Sequence, residues 1–105
     1  MNKCRHILKR CVDLMGPSSI FSVNPVDPVT FHDYYKIVQK PIFLGQIGDK
    51  LDQGVYTSPH EFADDMRQHW YNIKLYNPEG DSFRKLGEMV SPGGTAALRH
   101  IMVRE

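Results

Sequence analysis

Apolar residues fall at Cys4, Ile7, Leu8, Cys11 and Met15, the i, i+3, i+4, i+7 and i+11 positions of one helical face, and Gly16-Pro17 closes the run. The pattern predicts an amphipathic helix over residues 3–15. Its outer face carries Lys3, Arg5, Lys9 and Arg10, which read either as a solvated face or as phosphate contacts, and no partner is assigned to them. From Gly16 to Phe43 neither the helical nor the strand period holds, and Pro17, Pro25, Pro28 and Pro41 interrupt it. So long a segment without regular structure is unusual in a compact domain and is either functional or disordered. The apolar load of Ile20, Phe21, Val23, Val26, Val29, Phe31, Tyr34, Tyr35, Ile37, Val38 and Ile42 argues for an ordered loop that packs on the rest and can form a pocket wall.

Helical spacing resumes at Leu44, Ile47 and Leu51 and stops at Gly54, predicting a short helix over 44–53. Ser58-Pro59-His60-Glu61 has the form of a capping box, with Ser58 accepting from the Glu61 amide, Glu61 reaching back to the Ser58 amide, and Pro59 suited to the first helical position. Phe62, Met66, Trp70, Ile73 and Tyr76 continue one face from there. Pro78 disfavours helical geometry at Asn77, so the helix ends at Tyr76 or Asn77 and leaves Asn77 at its mouth. Phe62, Met66, Trp70 and Tyr35 are assigned to the core. Asp81 is a cap for a fourth helix through Phe83, Leu86, Met89 and Val90, and Ser91-Pro92-Gly93-Gly94 breaks that helix before Ala97, Leu98, Ile101 and Met102. No strand-like alternation or repeat occurs. The expectation is an all-α four-helix bundle with a long ordered loop between the first and second helices and a last helix interrupted near Pro92.

With 105 residues and 12.1 kDa, the chain suits one domain spanning residues 1–105. Its 41% hydrophobic and 24% charged residues are enough for a core and unlike a disordered tail. A net charge of +1 gives no reason to expect strong direct nucleic acid binding, and apolar runs of three residues exclude a membrane-spanning helix. The first fifteen residues lack the apolar core of a signal peptide, so an intracellular address is expected. Cys4 and Cys11, on one helix, stand about 10.5 Å apart along its axis, too far for a disulfide. The five histidines and two cysteines lack zinc-ligand spacing, and no phosphate loop, nucleophile motif or pair of catalytic groups is legible, so neither metal, cofactor nor enzyme activity is expected.

Several motifs together resemble the bromodomains, a family of left-handed four-helix bundles that bind acetylated lysine. Pro25-Val26-Asp27, Asp33-Tyr34-Tyr35-Lys36-Ile37-Val38, Lys40-Pro41, Leu44, Ile47 and Lys50-Leu51 are similar in order and spacing to the family's long loop and second helix. Tyr56, Glu61-Phe62, Asp65-Met66-Arg67, Asn72 and Tyr76-Asn77-Pro78 are similar to its third helix, including the Tyr-Asn pair that recognises the ligand. Acetylation removes the lysine charge and leaves an amide on an apolar stem. Burying that carbonyl unpaired costs roughly 1–3 kcal/mol, so the slot needs a neutral donor at its base. A carboxamide at a helix end qualifies, and Asn77 Nδ2 is assigned to it. The resemblance implies that Tyr34 donates through an ordered water, that Val26, Pro25, Phe31, Ile73, Tyr76 and Phe83 form apolar walls, and that Phe83 is an aromatic gatekeeper narrowing the slot. For each of these, and for Asn77 above all, the plainer alternative is a turn, a cap or ordinary packing.

Four departures stand out. Where the family often has a Trp-Pro-Phe shelf, this chain has Ile20-Phe21-Ser22, with Phe21 one position from the missing phenylalanine. The family's Pro-Met-Asp-Leu reads Pro41-Ile42-Phe43-Leu44, which removes a capping aspartate and about 1 kcal/mol of support. His32 replaces a proline beside the expected pocket and would make binding pH-sensitive, and the break at 91–94 shortens or kinks the last helix. The resemblance implies a non-catalytic reader of acetylated histone tails that tethers a chromatin or transcription-regulating complex in the nucleus, with other chromatin-associated proteins as partners. The alternative is a degenerate module of the same fold that serves as a structural interaction domain.

Overall fold

The structure is a computed structural model that describes residues 2–90. The expected break near Pro92 and the helical pattern after it lie outside these residues. Helix α1 (Asn2–Met15) ends where Gly16 turns to a left-handed φ of +60°, and a 3-10 turn (Gly16–Ser19) runs into the short α2 (Ile20–Val23). Then come a short α3 (Tyr34–Ile37), α4 (Leu44–Asp52), α5 (Pro59–Tyr76) and α6 over residues 82–90. The long elements α1, α4, α5 and α6 form a four-helix bundle. The segment expected to be wholly irregular contains three short helical elements; each spans about one turn, too little to generate a repeat in the sequence.

The core follows the apolar stripes. Cys4, Ile7, Cys11 and Met15 of α1 meet Leu44, Ile47 and Leu51 of α4 and Phe62, Met66, Trp70 and Ile73 of α5, with Val90 closing the α6 side. Burial pushes the Cys11 thiol up to about 11, which leaves it protonated and unreactive near neutrality. Arg5, read as part of a solvated face, donates to the Leu51 carbonyl at 3.2 Å and pairs with Asp52 at 3.1 Å, so it covers the C-terminal end of α4. Tyr35 departs from its core assignment: it is exposed, and its hydroxyl donates to the Val26 carbonyl at 2.7 Å.

Both helix starts differ from expectation in detail. At α5 the Ser58 side chain makes no cap bond; Glu61 instead accepts from the Thr57 amide at 2.9 Å and from the Thr57 hydroxyl, which holds its carboxyl below the usual carboxylate range. At α4 the lost aspartate is half compensated, because Gln46 Oε1 accepts the Phe43 amide at 3.0 Å. Between these helices Asp65 accepts from Lys50 at 2.8 Å and from the Tyr56 hydroxyl at 2.5 Å, and the ammonium also lies over the Tyr56 ring.

The stretch before α4 has no ladder of its own, so its carbonyls need other donors. Two side chains one turn apart on α5 supply them. His69 Nδ1 donates to Ile42 O at 2.8 Å, and Asn72 Nδ2 donates to Lys40 O at 2.9 Å while Asn72 Oδ1 accepts from Gln68 at 2.8 Å. Both residues are buried.

Gly45 marks the closest backbone approach, since a Cβ there would meet Val23 O at 2.5 Å. Gly45→Ala is expected to cost about 1–2 kcal/mol by overpacking, although alanine is the better helix former by ~1 kcal/mol. Urea denaturation should show a lower midpoint at unchanged slope, and a midpoint equal to wild type would contradict this packing.

Candidate functional site

The last turn of α5 creates the site. The Asn77 amide donates to Ile73 O at 3.0 Å, and Asn77 then turns extended (φ −94°, ψ 130°) as the following proline requires. Asn77 Nδ2 also donates to Ile73 O at 3.0 Å. A carboxamide nitrogen carries two hydrogens, so one donor remains for another acceptor. The chain turns back through Asp81 N to Pro78 O at 3.0 Å, and Asp81 Oδ1 accepts the amides of Phe83 at 2.9 Å and Arg84 at 3.1 Å. Asp81 is therefore the cap of α6, and it brings Phe83 into the first turn beside the end of α5.

A cavity of about 370 Å³ opens there. Tyr76 and Asn77 contribute the end of α5, Phe83 and Leu86 one face of α6, Phe21 the short α2, and Phe31 the loop; Ser18, Asp81 and Ser82 complete the lining. Its aromatic walls meet edge to face, Phe21 on Phe83 with centroids 6.0 Å apart and Phe31 on Tyr76 at 6.4 Å. Phe31 is held by a turn in which Asp27 accepts the Val29 amide and the Thr30 hydroxyl, both at 2.9 Å, bonds that lower its pKa. Tyr76 is held by donating to Asp33 Oδ1 at 2.8 Å, and that bond raises its pKa, keeping it a neutral donor.

Tyr34 and Val26 do not line this cavity. They belong to an adjoining cluster with Val38, Phe43 and Tyr76, in which the Tyr34 ring lies 4.8 Å from Tyr76 and 6.1 Å from Phe43. Tyr76 is the shared wall of the two. Burial, with Tyr35 and Tyr76 nearby, pushes Tyr34 up to about 12, and its hydroxyl bonds to no described residue. Ile73 belongs to the main core, against which Phe83 packs. Pro25 and His32 are exposed, and neither lines the cavity.

The altered shelf is filled differently from the family's pattern. Phe21 faces the cavity, Ile20 is exposed, and Ser22 is fully buried with its hydroxyl unpaired among the described residues. Sequence reasoning missed Leu86 as a wall, although its helical spacing from Phe83 puts both on one face of α6. Among the described residues no group of three His, Cys, Asp or Glu could hold a metal ion, and no helix is long and apolar enough to cross a membrane.

The cavity is mainly apolar, and the Asn77 carboxamide is part of its lining. The sequence model of the Bromodomain family matches residues 4–88. The chain belongs to the bromodomain family. Its fold is that family's four-helix bundle. It superposes on the bromodomain of human BAZ1A with a TM-score of 0.77 at 27% identity, covering 90% of this chain and 92% of that one. A bromodomain from Trypanosoma brucei gives 0.81 at 28% identity, over 94% and 95%. Among curated proteins it is similar to transcription factor GTE3, chloroplastic, of Arabidopsis thaliana, at 37% identity over 86% of this chain and 20% of the relative. The nucleosome-remodeling factor subunit NURF301 of Drosophila melanogaster is 39% identical over 63% of this chain and 2% of its own length. This bromodomain thus spans a fifth or less of the curated relatives it matches here.

Proposed function

We propose that this bromodomain binds acetylated lysine, in histone tails, and does so without catalysis. The observation that carries the reading is the position of Asn77: a carboxamide with one uncommitted hydrogen, at the end of α5, on the wall of a mainly apolar cavity. The acetyl carbonyl accepts from Asn77 Nδ2, and the acetyl methyl and lysine stem lie between Phe21, Phe31, Phe83 and Leu86. Tyr34, whose hydroxyl is held neutral and uncommitted, reaches the same carbonyl through a water. Val26 and Tyr76 shape the side nearest Tyr34, Ile73 supports the floor through its carbonyl, and Pro25 contributes at the rim. Unmodified lysine is disfavoured because its ammonium would lose hydration against the apolar walls and meet the Asn77 donor, while the Asp81 carboxylate in the lining is already engaged by the amides of Phe83 and Arg84. The relatives' roles in transcription and nucleosome remodelling support a chromatin-bound partner and a nuclear setting, with residues 1–105 acting as one module inside a larger assembly.

Titration of the labelled domain with acetylated and unmodified histone tail peptides, followed by NMR, tests this. Acetyl-dependent shifts are expected at Asn77, Phe83 and Tyr34. Asn77→Ala should weaken binding about tenfold, ~1.4 kcal/mol, because the buried carbonyl loses its donor. The second reading, a structural interaction module, is favoured by the bond that Asn77 Nδ2 already makes to Ile73 O. A folded domain without acetyl-dependent shifts would decide for it.

A further inference from the structure

The two jaws of the cavity, Asn77 on α5 and Phe83 on α6, belong to different helices joined by a short turn. Something must set their separation. Asp81 orders the start of α6, but it reaches only its own helix. The cross-link comes from Arg84, three residues further on. Arg84 NH1 donates to Asn77 O at 3.2 Å and to Lys74 O at 3.3 Å, while Arg84 Nε pairs with Glu88 Oε1 at 3.1 Å. The Arg84 side chain is only a quarter exposed, and the guanidinium plane is fixed by three acceptors on two helices.

We propose that Arg84 is a positioning residue for acetyl-lysine recognition, clamping Asn77 at the distance from Phe83 that the ligand requires; the inference rests on the ligand-binding role of Asn77 proposed above. The carbonyls of a helix's last turn lack intrahelical partners, and Arg84 satisfies two at the end of α5. A helix C-terminus also carries partial negative charge, which opposes the approach of a carbonyl oxygen. A cation bonded to those same carbonyls offsets that field where the acetyl oxygen docks. Arginine suits the task because the two hydrogens of NH1 serve both carbonyls while Nε, a separate donor in the same plane, is held by Glu88, a spread of donors that the single nitrogen of lysine cannot reproduce.

The test compares wild type with Arg84→Ala, Arg84→Lys, Asn77→Ala and the double variant Arg84→Ala/Asn77→Ala, using a histone tail peptide with one acetyl-lysine. Arg84→Ala should weaken binding about five- to tenfold, Arg84→Lys should recover part of that, and the double variant should bind no more weakly than Asn77→Ala alone. In the free domain, the Asn77 side-chain amide signals should shift or broaden in Arg84→Ala. Those of Asn72, whose carboxamide is held by Lys40 O and Gln68, serve as an internal control and should not move. Equal disturbance of both asparagines would mean general loosening and would overturn the proposal, as would a loss that simply adds to that of Asn77→Ala. If Arg84→Ala does not fold, Arg84→Lys decides by the same amide signals, since unchanged Asn77 signals there would overturn the clamp. If wild type binds no acetylated peptide, the proposed function fails, and the role in recognition with it. The Asn77 signals then report separately whether Arg84 holds that residue.

Discussion

At pH 4 the folded domain is expected to be roughly 3 kcal/mol less stable than at pH 7 because of one residue, His69. Its ring is buried between Trp70 and Phe43, with centroids 5.1 Å and 6.4 Å away. Nδ1 carries the proton donated to Ile42 O, so a second proton would have to enter at Nε2, which is buried and has no partner among the described residues. Burial therefore pulls the folded pKa down to about 4, against a bond to Ile42 that works weakly the other way. An unfolded chain protonates near ~6.5. Between these values the unfolded state binds a proton that the folded state refuses. Stability from this group is complete above about pH 6.5, declines as pH falls toward 4, and levels off below. Asp27 and Glu61, whose pKa values are lowered, extend the decline at more acidic pH. Urea unfolding from pH 7 to pH 4 should trace this slope, and His69→Gln should flatten it. A slope unchanged in that variant would show that acid acts elsewhere.

Asn72→Ala is the second large effect, an expected loss of about 2–3 kcal/mol. Its carboxamide is almost completely buried and spans two partners, Lys40 O at 2.9 Å and the Gln68 side chain at 2.8 Å. Truncation leaves the Lys40 carbonyl without its donor. Asn72→Asp is a sharper probe, because it keeps the shape but replaces the donor with a carboxylate oxygen facing a carbonyl. Chemical denaturation should rank wild type above Asn72→Ala, with Asn72→Asp at least as unstable at neutral pH. Because Lys40 ends the loop that carries Tyr34, loosening it should also weaken any ligand held from that side. A loss below ~0.5 kcal/mol in both variants would mean that the loop's end finds other partners.

These two residues also show how much was legible beforehand. His69 stands at helical spacing between Phe62, Met66 and Ile73, so its place on the buried stripe of α5 was available from periodicity. Its task was not, since a polar residue on an apolar stripe is informative only once its acceptor is known, and Ile42 is 27 residues away. His32 carried the expectation of pH sensitivity because of its neighbours in sequence, yet it is exposed, and the buried histidine is another. Tyr35 failed as a core residue for a related reason: in a loop without a repeat, nothing in the sequence says which of two adjacent tyrosines turns inward, and packing turned Tyr34 in and left Tyr35 bonded to Val26 at the surface.

Helix limits, the end of α5 at Tyr76, the Asp81 cap and the core stripes follow from local rules, because spacing, capping groups and proline act within a few residues of one another. The resemblance in motifs reached the family for the same reason, as its markers are short runs around Tyr34 and Asn77. What the cavity is made of depended on contacts between distant segments. Phe21 replaces a lost shelf by facing Phe83, Tyr76 is fixed by Asp33, and Arg84 ties α6 to the end of α5. Those distances arise only when four helices and a loop share one core, so tertiary packing decided them and no local pattern could.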